Sequence, residues 1–283
     1  MKFLPLSELL SDADSRGYAV PSFCVWNAEA MDCVLRVATD CRAPVILMHG
    51  PGEFPLLRPE TMAATARAVA ARYSVRAALH LDHGDSLAQV DACLNAGYTS
   101  VMLDFSARPY AENAAALRQV ALRAHPLGVT VEGEIGHVGK ADTMTVEGGF
   151  DSTLTIPAKA ASYVAETNVD VLAVSIGNAH GQYTRLPRLD FDRLAEIRKA
   201  VRVPLVLHGG SGTPDADIKR VISLGIAKIN VATELIASVR ESLRSQWAAG
   251  RNLWLPIAQA EAIKAMEPVV RKWIVLTGAE RRG

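Results

Sequence analysis

Eight short apolar or β-branched runs recur along the chain, with roughly 25–40 residues from one run to the next. Most of them are almost continuously hydrophobic, which is typical of strands whose two faces are both buried in a parallel sheet. The pattern therefore predicts eight strands. They span residues 19–25, 44–49, 77–83, 100–105, 130–136, 171–177, 204–210 and 227–233.

Segments with helical periodicity lie between the predicted strands. Gly97 and Gly225 are expected to end two of these helices, and Pro214 is expected in the first turn of the second one. The clearest helical segments are 86–97, 111–125, 157–168, 190–201 and 214–225, followed after the last strand by 233–249 and 256–276.

Strand–helix alternation repeated eight times predicts parallel pairing with right-handed crossovers. At this chain length, eight such units close into a (β/α)8 TIM barrel of the α/β class. The last two helical segments then form the eighth helix and a C-terminal helical extension. An open, doubly wound sheet is the alternative. Because no linker or second core interrupts the pattern, residues 1–283 are interpreted as one domain.

The balance of charge excludes some classes of protein. The 283 residues include 30 basic and 30 acidic side chains, so the excess positive charge of a nucleic-acid-binding protein is missing. No stretch reaches the roughly 18 apolar residues of a membrane span, and the N-terminal segment lacks the apolar region of a signal peptide. The four cysteines show no C-x-x-C spacing and are expected to be reduced thiols in a cytoplasmic protein.

The residues that carry chemistry concentrate at the carboxyl ends of the predicted strands, where barrel enzymes place their active sites. They occur singly or in short stretches that follow the apolar runs. The set comprises Asp82, His83, Asp104, Glu132, Glu134, His180, Gly181, His208, Gly209, Gly210, Ser211, Asn230, Val231, Ala232 and Thr233.

Three of these residues are histidines on strands three, six and seven. One histidine at a strand end is more often structural, but His83, His180 and His208 are accompanied by carboxylates. Three imidazoles that converge and leave one coordination position open describe a catalytic zinc site. Asp82 precedes His83 directly, and both cannot face inward on a regular strand because side chains alternate. Gly84 is expected to supply the necessary bend.

Glycine-rich turns form the second chemical element. The sequences HGGSG at 208–212 and NVATE at 230–234 lead directly into helices. Their backbone N–H groups, together with the hydroxyl groups of Ser211 and Thr233, predict an anion-binding site at helix N-termini. An anion site beside a metal indicates a small phosphorylated substrate. Two long irregular stretches, 49–59 and 136–153, are expected to be functional loops.

The motifs LDHG, VEGEIG, IGNAHG, LVLHGGSG and KINVATE, in this order, resemble those of the class II, zinc-dependent fructose-bisphosphate and tagatose-bisphosphate aldolases. The resemblance covers nearly the whole chain. It implies that His83, His180 and His208 bind Zn²⁺, and that Asp82 protonates the aldehyde oxygen during condensation. The implied reaction is the reversible cleavage of a ketose phosphate or bisphosphate, such as fructose or tagatose 1,6-bisphosphate, to dihydroxyacetone phosphate and an aldehyde in carbohydrate metabolism.

The resemblance also implies supporting roles. Gly181, Gly209 to Ser211 and Asn230 to Thr233 would hold dihydroxyacetone phosphate, with a monovalent cation, Na⁺ or K⁺, nearby. Asp104 and Glu134 would offer an alternative metal position. Breaking a C–C bond beside a carbonyl leaves an enediolate, which Zn²⁺ stabilises as a Lewis acid. A Schiff-base lysine is then unnecessary, and Lys228 is interpreted as structural.

The chain departs from the family's pattern in the acceptor half of the site. Cys24 stands where the family usually has Asn, and a thiol cannot replace both the donor and the acceptor of an amide. The mobile loop, usually G-G-x-E-D, reads GHVGKAD, so its catalytic base is Asp142, Glu147 or neither. The aldehyde partner is therefore expected to differ from that of the better-known enzymes. Candidates to face it are Trp26, His49 and His137.

Other functions stay open on the sequence alone. The chemistry could serve a non-standard aldehyde. A metal-dependent hydrolase of the same fold favours an H-x-H pair on the first strand, and the first predicted strand has none. A non-catalytic partner subunit should have lost metal ligands or the proton-transfer aspartate. We expect a homo-oligomer, a dimer or a tetramer, that binds a sugar phosphate and neither nucleic acid nor membrane.

Overall fold

The described strands form one closed barrel. The computed structural model describes residues 2–140, 153–181, 183, 185–251 and 254–283. Each strand pairs in parallel with the next one along the chain, and β1 pairs with β8 to close the cylinder. The prediction of a (β/α)8 barrel is confirmed, and the open-sheet alternative is wrong. The strands are β1 (Val20–Cys24), β2 (Val45–His49), β3 (Ala77–Gly84), β4 (Ser100–Leu103), β5 (Thr130–Ile135), β6 (Val171–Val174), β7 (Leu205–Leu207) and β8 (Ile226–Val231).

Helices alternate with the strands on the outside of the barrel. They are α1 (Leu6–Arg16), α2 (Ala28–Cys41), α3 (Pro59–Ala70), α4 (Leu87–Ala96), α5 (Tyr110–Ala124), α6 (Pro157–Thr167), α7 (Phe191–Ala200), α8 (Asp215–Ser223), α9 (Thr233–Ala248), α10 (Leu255–Lys264) and α11 (Met266–Leu276). Within the described ranges, none of these helices combines the length and the apolarity that crossing a bilayer requires.

Some predicted boundaries were wrong. Helix α8 begins after Pro214, which occupies the N-cap position and not the first turn. The predicted segment 256–276 consists of two helices that meet at Ala265. Strands β6 and β7 are shorter than predicted, so His180 and His208 lie beyond regular strand. These two histidines are therefore carried by loops that extend from the barrel's carboxyl rim, whereas His83 lies within β3.

Helix α1, which the periodicity did not predict, covers the opposite end of the barrel. Its apolar face is formed by Leu6, Leu9 and Leu10, all fully buried. Ser7 N donates to the Oγ1 of Thr130, the first residue of β5, at 3.0 Å. The amino end of the barrel is thus sealed, and the carboxyl rim is left for chemistry.

The bend after Asp82 lies at a different residue from the one predicted. His83 itself adopts a left-handed conformation with φ +48°, and the β3–β4 register shifts between Leu81 and Gly84. The φ of Gly84 is not positive, but a Cβ there would lie 2.7 Å from the carbonyl oxygen of Met102. Glycine is needed for close packing, and the histidine carries the backbone strain.

Candidate metal and active site

Three imidazoles meet at the carboxyl rim. The ring centroids of His83 and His180 are 4.7 Å apart, those of His83 and His208 4.6 Å, and those of His180 and His208 5.7 Å. Each ring also has one buried nitrogen without a hydrogen-bond partner: Nε2 of His83, Nε2 of His180 and Nδ1 of His208. One ligand atom from each residue lies within 4.8 Å of the other two. Since buried polar atoms are normally satisfied, three orphaned nitrogens facing one point fit a divalent metal.

Carboxylates fix the orientation of two of the rings. Asp104 Oδ2 lies 2.7 Å from His83 Nδ1, and Glu132 Oε1 lies 2.9 Å from His208 Nε2. In each case the other ring nitrogen stays available as a ligand, the usual arrangement around bound zinc. His83, Asp104 and Glu134 form a second cluster with metal-ligand spacing. Glu134 Oε2 lies 3.0 Å from His208 Nδ1 without a hydrogen bond.

The rings of His180 and His208 differ in protonation. Burial lowers the pKa of His180 to about 4, and the charges of His83 and His208 act in the same direction. His180 is therefore neutral near pH 7 and has a free lone pair. Burial also lowers the pKa of His208, but Glu132 and Glu134 outweigh burial and raise the pKa to about 10. Metal binding at this ring would have to displace a proton.

Asp82 lies at the edge of the imidazole cluster. Its Oδ2 is 4.0 Å from His83 Nε2, and its Oδ1 accepts a hydrogen bond from Asn230 Nδ2 at 2.8 Å. Burial raises the pKa of Asp82, yet the positive charges of His83 and Lys228 outweigh burial and bring the pKa to about 2. The side chain is therefore an ionised carboxylate, held in a fixed position where it can accept a proton.

A buried charged layer supports the site from below. Lys228 Nζ donates to both oxygens of Glu132, at 2.8 and 3.0 Å, and lies 3.3 Å from His80 Nε2. All three side chains are fully buried. Glu132 in turn holds His208. The interpretation of Lys228 as structural agrees with these contacts, whereas sequence reasoning missed His80 and gave Glu132 no role.

Breaking this layer is expected to destabilise the barrel. The Lys228→Met variant would leave Glu132 buried with only the imidazoles of His208 and His80 beside it. We expect the free energy of unfolding to fall by about 3 kcal/mol. Chemical denaturation followed by circular dichroism measures the change. As the control, Arg244→Met removes an exposed pair with Glu241 and should leave the unfolding midpoint unchanged. Equal midpoints for the Lys228 variant and the wild type would contradict a supporting role.

The predicted members of the anion site lie in two kinds of surroundings. A cavity of about 440 Å³ is lined by Gly181, Ser211 and Thr233, together with Arg185, Arg240 and Glu234. The Glu234 carboxylate accepts hydrogen bonds from Gly212, Lys272 and Trp273. Helix α9 begins at Thr233, so its first N–H groups lie beside this cavity. Positive charge and helix N-terminal donors fit a phosphate group.

Other predicted members of the anion site have different surroundings. Gly209 has φ +67°, and a Cβ there would come within 2.0 Å of Ala179 O. Gly210 packs against Ile229, and the fully buried side chain of Val231 belongs to the core. Asn230 contacts Asp82 and not the cavity. Ala232 is the N-cap of α9. These residues shape the backbone, whereas Gly181, Ser211 and Thr233 line the cavity.

The long loop after β5 is anchored to the site at its described ends. His137 and Thr153 exchange backbone hydrogen bonds at 2.8 and 3.1 Å, and Gly139 O accepts from His180 N at 2.8 Å. Asp142 and Glu147, the predicted candidates for the loop base, lie outside the described residues. The loop therefore starts next to His180, one of the three converging histidines.

The three residues predicted to face the aldehyde lie in different surroundings. His49 is fully buried, with Nδ1 2.9 Å from the hydroxyl of Tyr98, and so belongs to the packing. His137 Nδ1 lies 3.0 Å from Ser106 Oγ, on the side of β4. Trp26 lines a cleft together with Glu53, a residue on the loop after β2 that sequence reasoning did not single out. No strand or helix pattern points to Glu53, because a loop side chain's position depends on the folded loop.

Comparison with known proteins agrees with this geometry. The family model described as "Fructose-bisphosphate aldolase class-II" matches residues 5–282. The crystal structure of the YdjI aldolase from Escherichia coli K12 is 34% identical, with a TM-score of 0.86 over 99% of this chain and 98% of that one. A putative fructose-1,6-bisphosphate aldolase from Coccidioides immitis is 28% identical, with a TM-score of 0.88 over the same shares. Fructose-bisphosphate aldolase from Campylobacter jejuni, 21% identical, shares the fold, with a TM-score of 0.84 over 98% and 95%.

Proposed function

The chain belongs to the class II fructose-bisphosphate aldolase family, and on that premise we propose that it is a zinc-dependent lyase acting on a ketose phosphate. The products of cleavage are dihydroxyacetone phosphate and an aldehyde, and the reaction is reversible. Fructose or tagatose 1,6-bisphosphate has the required chemistry, as does a ketose phosphate built from a different aldehyde.

The observation that carries this proposal is the set of three orphaned nitrogens on His83, His180 and His208. Three imidazoles with an open fourth position fit catalytic zinc, and the carboxylates behind two of them fit its usual outer partners. Bound Zn²⁺ would supply Lewis acidity that stabilises the negative charge arising next to the substrate's carbonyl. Asp104 and Glu134 could hold the metal in a second position shared with His83.

The remaining side chains handle protons and phosphate. In cleavage, Asp82 takes the proton of the hydroxyl group that becomes the aldehyde oxygen, and it returns this proton in condensation. Asn230 keeps its carboxylate in place through the 2.8 Å hydrogen bond. The cavity lined by Gly181, Ser211 and Thr233 receives the phosphate and so fixes the position of the carbon chain.

Two further assignments stay predictions. Asp142 or Glu147 moves the proton at the carbon of dihydroxyacetone phosphate that forms the new bond. A monovalent cation, Na⁺ or K⁺, lies near the phosphate.

We also propose that the chain assembles into a homo-oligomer, a dimer or a tetramer. Large apolar side chains are exposed near the end of α9 and on α10, namely Trp247, Trp254, Leu255 and Ile257, with exposures from 49% to 76%. Exposed apolar clusters of this kind commonly mark protein interfaces. A cytoplasmic location is proposed as well, because all four cysteines are free and buried.

Removal of zinc is expected to abolish cleavage. Purified protein is assayed for release of dihydroxyacetone phosphate from several ketose phosphates, before and after complete chelation. We expect activity to fall by about a thousandfold or more, because several kcal/mol of charge stabilisation disappear with the metal. Re-addition of Zn²⁺, but not of Mg²⁺, should restore it, since imidazole ligands prefer zinc. Activity that survives complete chelation would contradict the proposal.

A further inference from the structure

A half-buried carboxylate, that of Glu53, lies on the part of the rim formed by β1 and the loop after β2. Glu53 Oε2 accepts a hydrogen bond from Gly50 N at 2.9 Å. Its Oε1 lies 3.7 Å from the Sγ of Cys24, whose thiol donates to it. Cys24 is the last residue of β1 and is only 7% exposed. Both oxygens of the carboxylate are therefore held by neighbours within the chain.

This carboxylate lies close to Asp82. The loop that carries Glu53 packs directly on the end of β3, because a Cβ at Gly50 would come within 2.7 Å of the Asp82 carbonyl oxygen. Burial raises the pKa of Glu53, and the negative charge of Asp82 raises it further against the hydrogen bonds from Gly50 and Cys24. Burial, Glu53 and Asp82 together raise the pKa of the Cys24 thiol. The thiol thus stays protonated and serves as a donor to Glu53.

The position of Glu53 relative to the substrate follows from the proposed function, on which this inference rests. The phosphate cavity takes up the rim at β6 to β8, and the imidazole cluster occupies the middle. The aldehyde oxygen lies next to Asp82, which exchanges a proton with it. The rest of the aldehyde chain must then extend toward β1 and β2, where Cys24 and Glu53 lie.

A cleft of about 560 Å³ opens on this side, between the Glu53 loop and α9. Two arginines line it, and both also face other groups. Arg244 binds Glu241 through two hydrogen bonds, at 2.8 and 2.9 Å. Arg240 also lines the phosphate cavity. Among the described residues, Glu53 makes its contacts with a thiol and a backbone N–H, and no ion pair neutralises it.

We propose that Glu53, positioned by Cys24 and Gly50, selects aldehydes whose far end carries hydroxyl groups and no phosphate. A fixed carboxylate accepts hydrogen bonds from hydroxyl groups, whereas it repels a phosphate dianion at short range. The amide that the family usually has in place of Cys24 could donate to a phosphate, but the thiol's proton is already bound to Glu53. The ketose substrate is then a monophosphate, with its phosphate in the cavity at β6 to β8.

The test compares two acceptors that differ only in the terminal phosphate: glyceraldehyde and glyceraldehyde 3-phosphate, each with dihydroxyacetone phosphate and zinc-loaded protein. We expect kcat/KM to favour unphosphorylated glyceraldehyde by about tenfold or more. Glu53→Gln removes the charge and retains an oxygen for the Gly50 contact, so it should raise kcat/KM for the phosphorylated acceptor by about tenfold. Glu60→Gln, the same change at an exposed position on α3, should leave the ratio as in the wild type.

A second variant tests the same role of Glu53 if the Glu53→Gln protein does not fold. Cys24→Asn introduces the family's amide and should shift the ratio toward the phosphorylated acceptor as well. A wild-type preference for glyceraldehyde 3-phosphate, or a ratio that both variants leave unchanged, would overturn the role of Glu53.

A partial reaction separates this failure from failure of the proposed function. Exchange of the carbon-bound proton of dihydroxyacetone phosphate with solvent needs only the donor half of the site. If the zinc-loaded wild type exchanges this proton but its acceptor ratio contradicts the prediction, the role of Glu53 alone is wrong. If it exchanges no proton at all, the proposed function is wrong.

Discussion

The His208→Ala variant is expected to lose stoichiometric zinc, together with about a thousandfold or more of kcat/KM for ketose phosphate cleavage. The change removes one of the three converging ligand atoms. Only two imidazoles then remain, too few for a tightly held catalytic zinc. Zinc content per protomer after gel filtration gives a readout independent of activity, and the release of dihydroxyacetone phosphate gives the second.

The environment of His208 indicates that the variant should still fold. Glu132, which loses its contact to His208 Nε2, keeps both of its hydrogen bonds to Lys228. Circular dichroism of the His208→Ala variant checks that it folds. His125→Ala is the matched control, because His125 pairs with Asp170 at the opposite end of the barrel, 3.1 Å away. It should retain zinc and activity. Full zinc content in the His208 variant would rule out the three histidines as the metal site and leave the cluster of His83, Asp104 and Glu134 as the alternative.

Much of the barrel could be predicted from the sequence because its strands are buried on both faces. Such strands must be almost continuously apolar, and this pattern survives without any knowledge of their neighbours. Helix α1 escaped prediction since its role is to seal the barrel end, a tertiary effect. The break at Ala265 between α10 and α11 was likewise hidden inside one continuous amphipathic segment.

The clustering of the three histidines was predictable for a related reason. In a parallel barrel, all carboxyl ends of strands meet at one rim, so residues far apart in sequence are brought together by topology alone. The conformation of His83 was not predictable, because the glycine beside it is the more usual site of a bend. Its left-handed backbone coincides with the register shift between β3 and β4 and lies next to the close approach of Gly84 to Met102.

The buried layer of His80, Glu132 and Lys228 below the histidines has a signal in the sequence. His80 lies two residues before Asp82, Glu132 two before Glu134, and Lys228 two before Asn230. Side chains two apart on a strand share a face, so each of these three rim residues has a polar residue beneath it. Glu53 had no such signal, since the path of its loop is fixed only by contacts in the folded chain.

The Asp82→Asn variant is expected to lower kcat for C–C cleavage by about a thousandfold, within the range found for removal of a general acid or base. An amide has the shape of the carboxylate and retains an oxygen for the hydrogen bond from Asn230, but it cannot take up or return a proton. Zinc content should be unchanged, because Asp82 belongs to neither cluster of candidate metal ligands. Asp85→Asn, the same change at an exposed position three residues away, serves as the control and should leave kcat as in the wild type.

The partial reaction decides which proton Asp82 moves. If it serves the aldehyde oxygen alone, the Asp82→Asn variant should still exchange the carbon-bound proton of dihydroxyacetone phosphate with solvent, to within about tenfold of the wild-type rate. Proton exchange followed by nuclear magnetic resonance measures this in deuterated buffer, with no aldehyde present. Loss of exchange in proportion to the loss of cleavage would assign Asp82 to the carbon-bound proton, and Asp142 and Glu147 would then no longer be needed as the base.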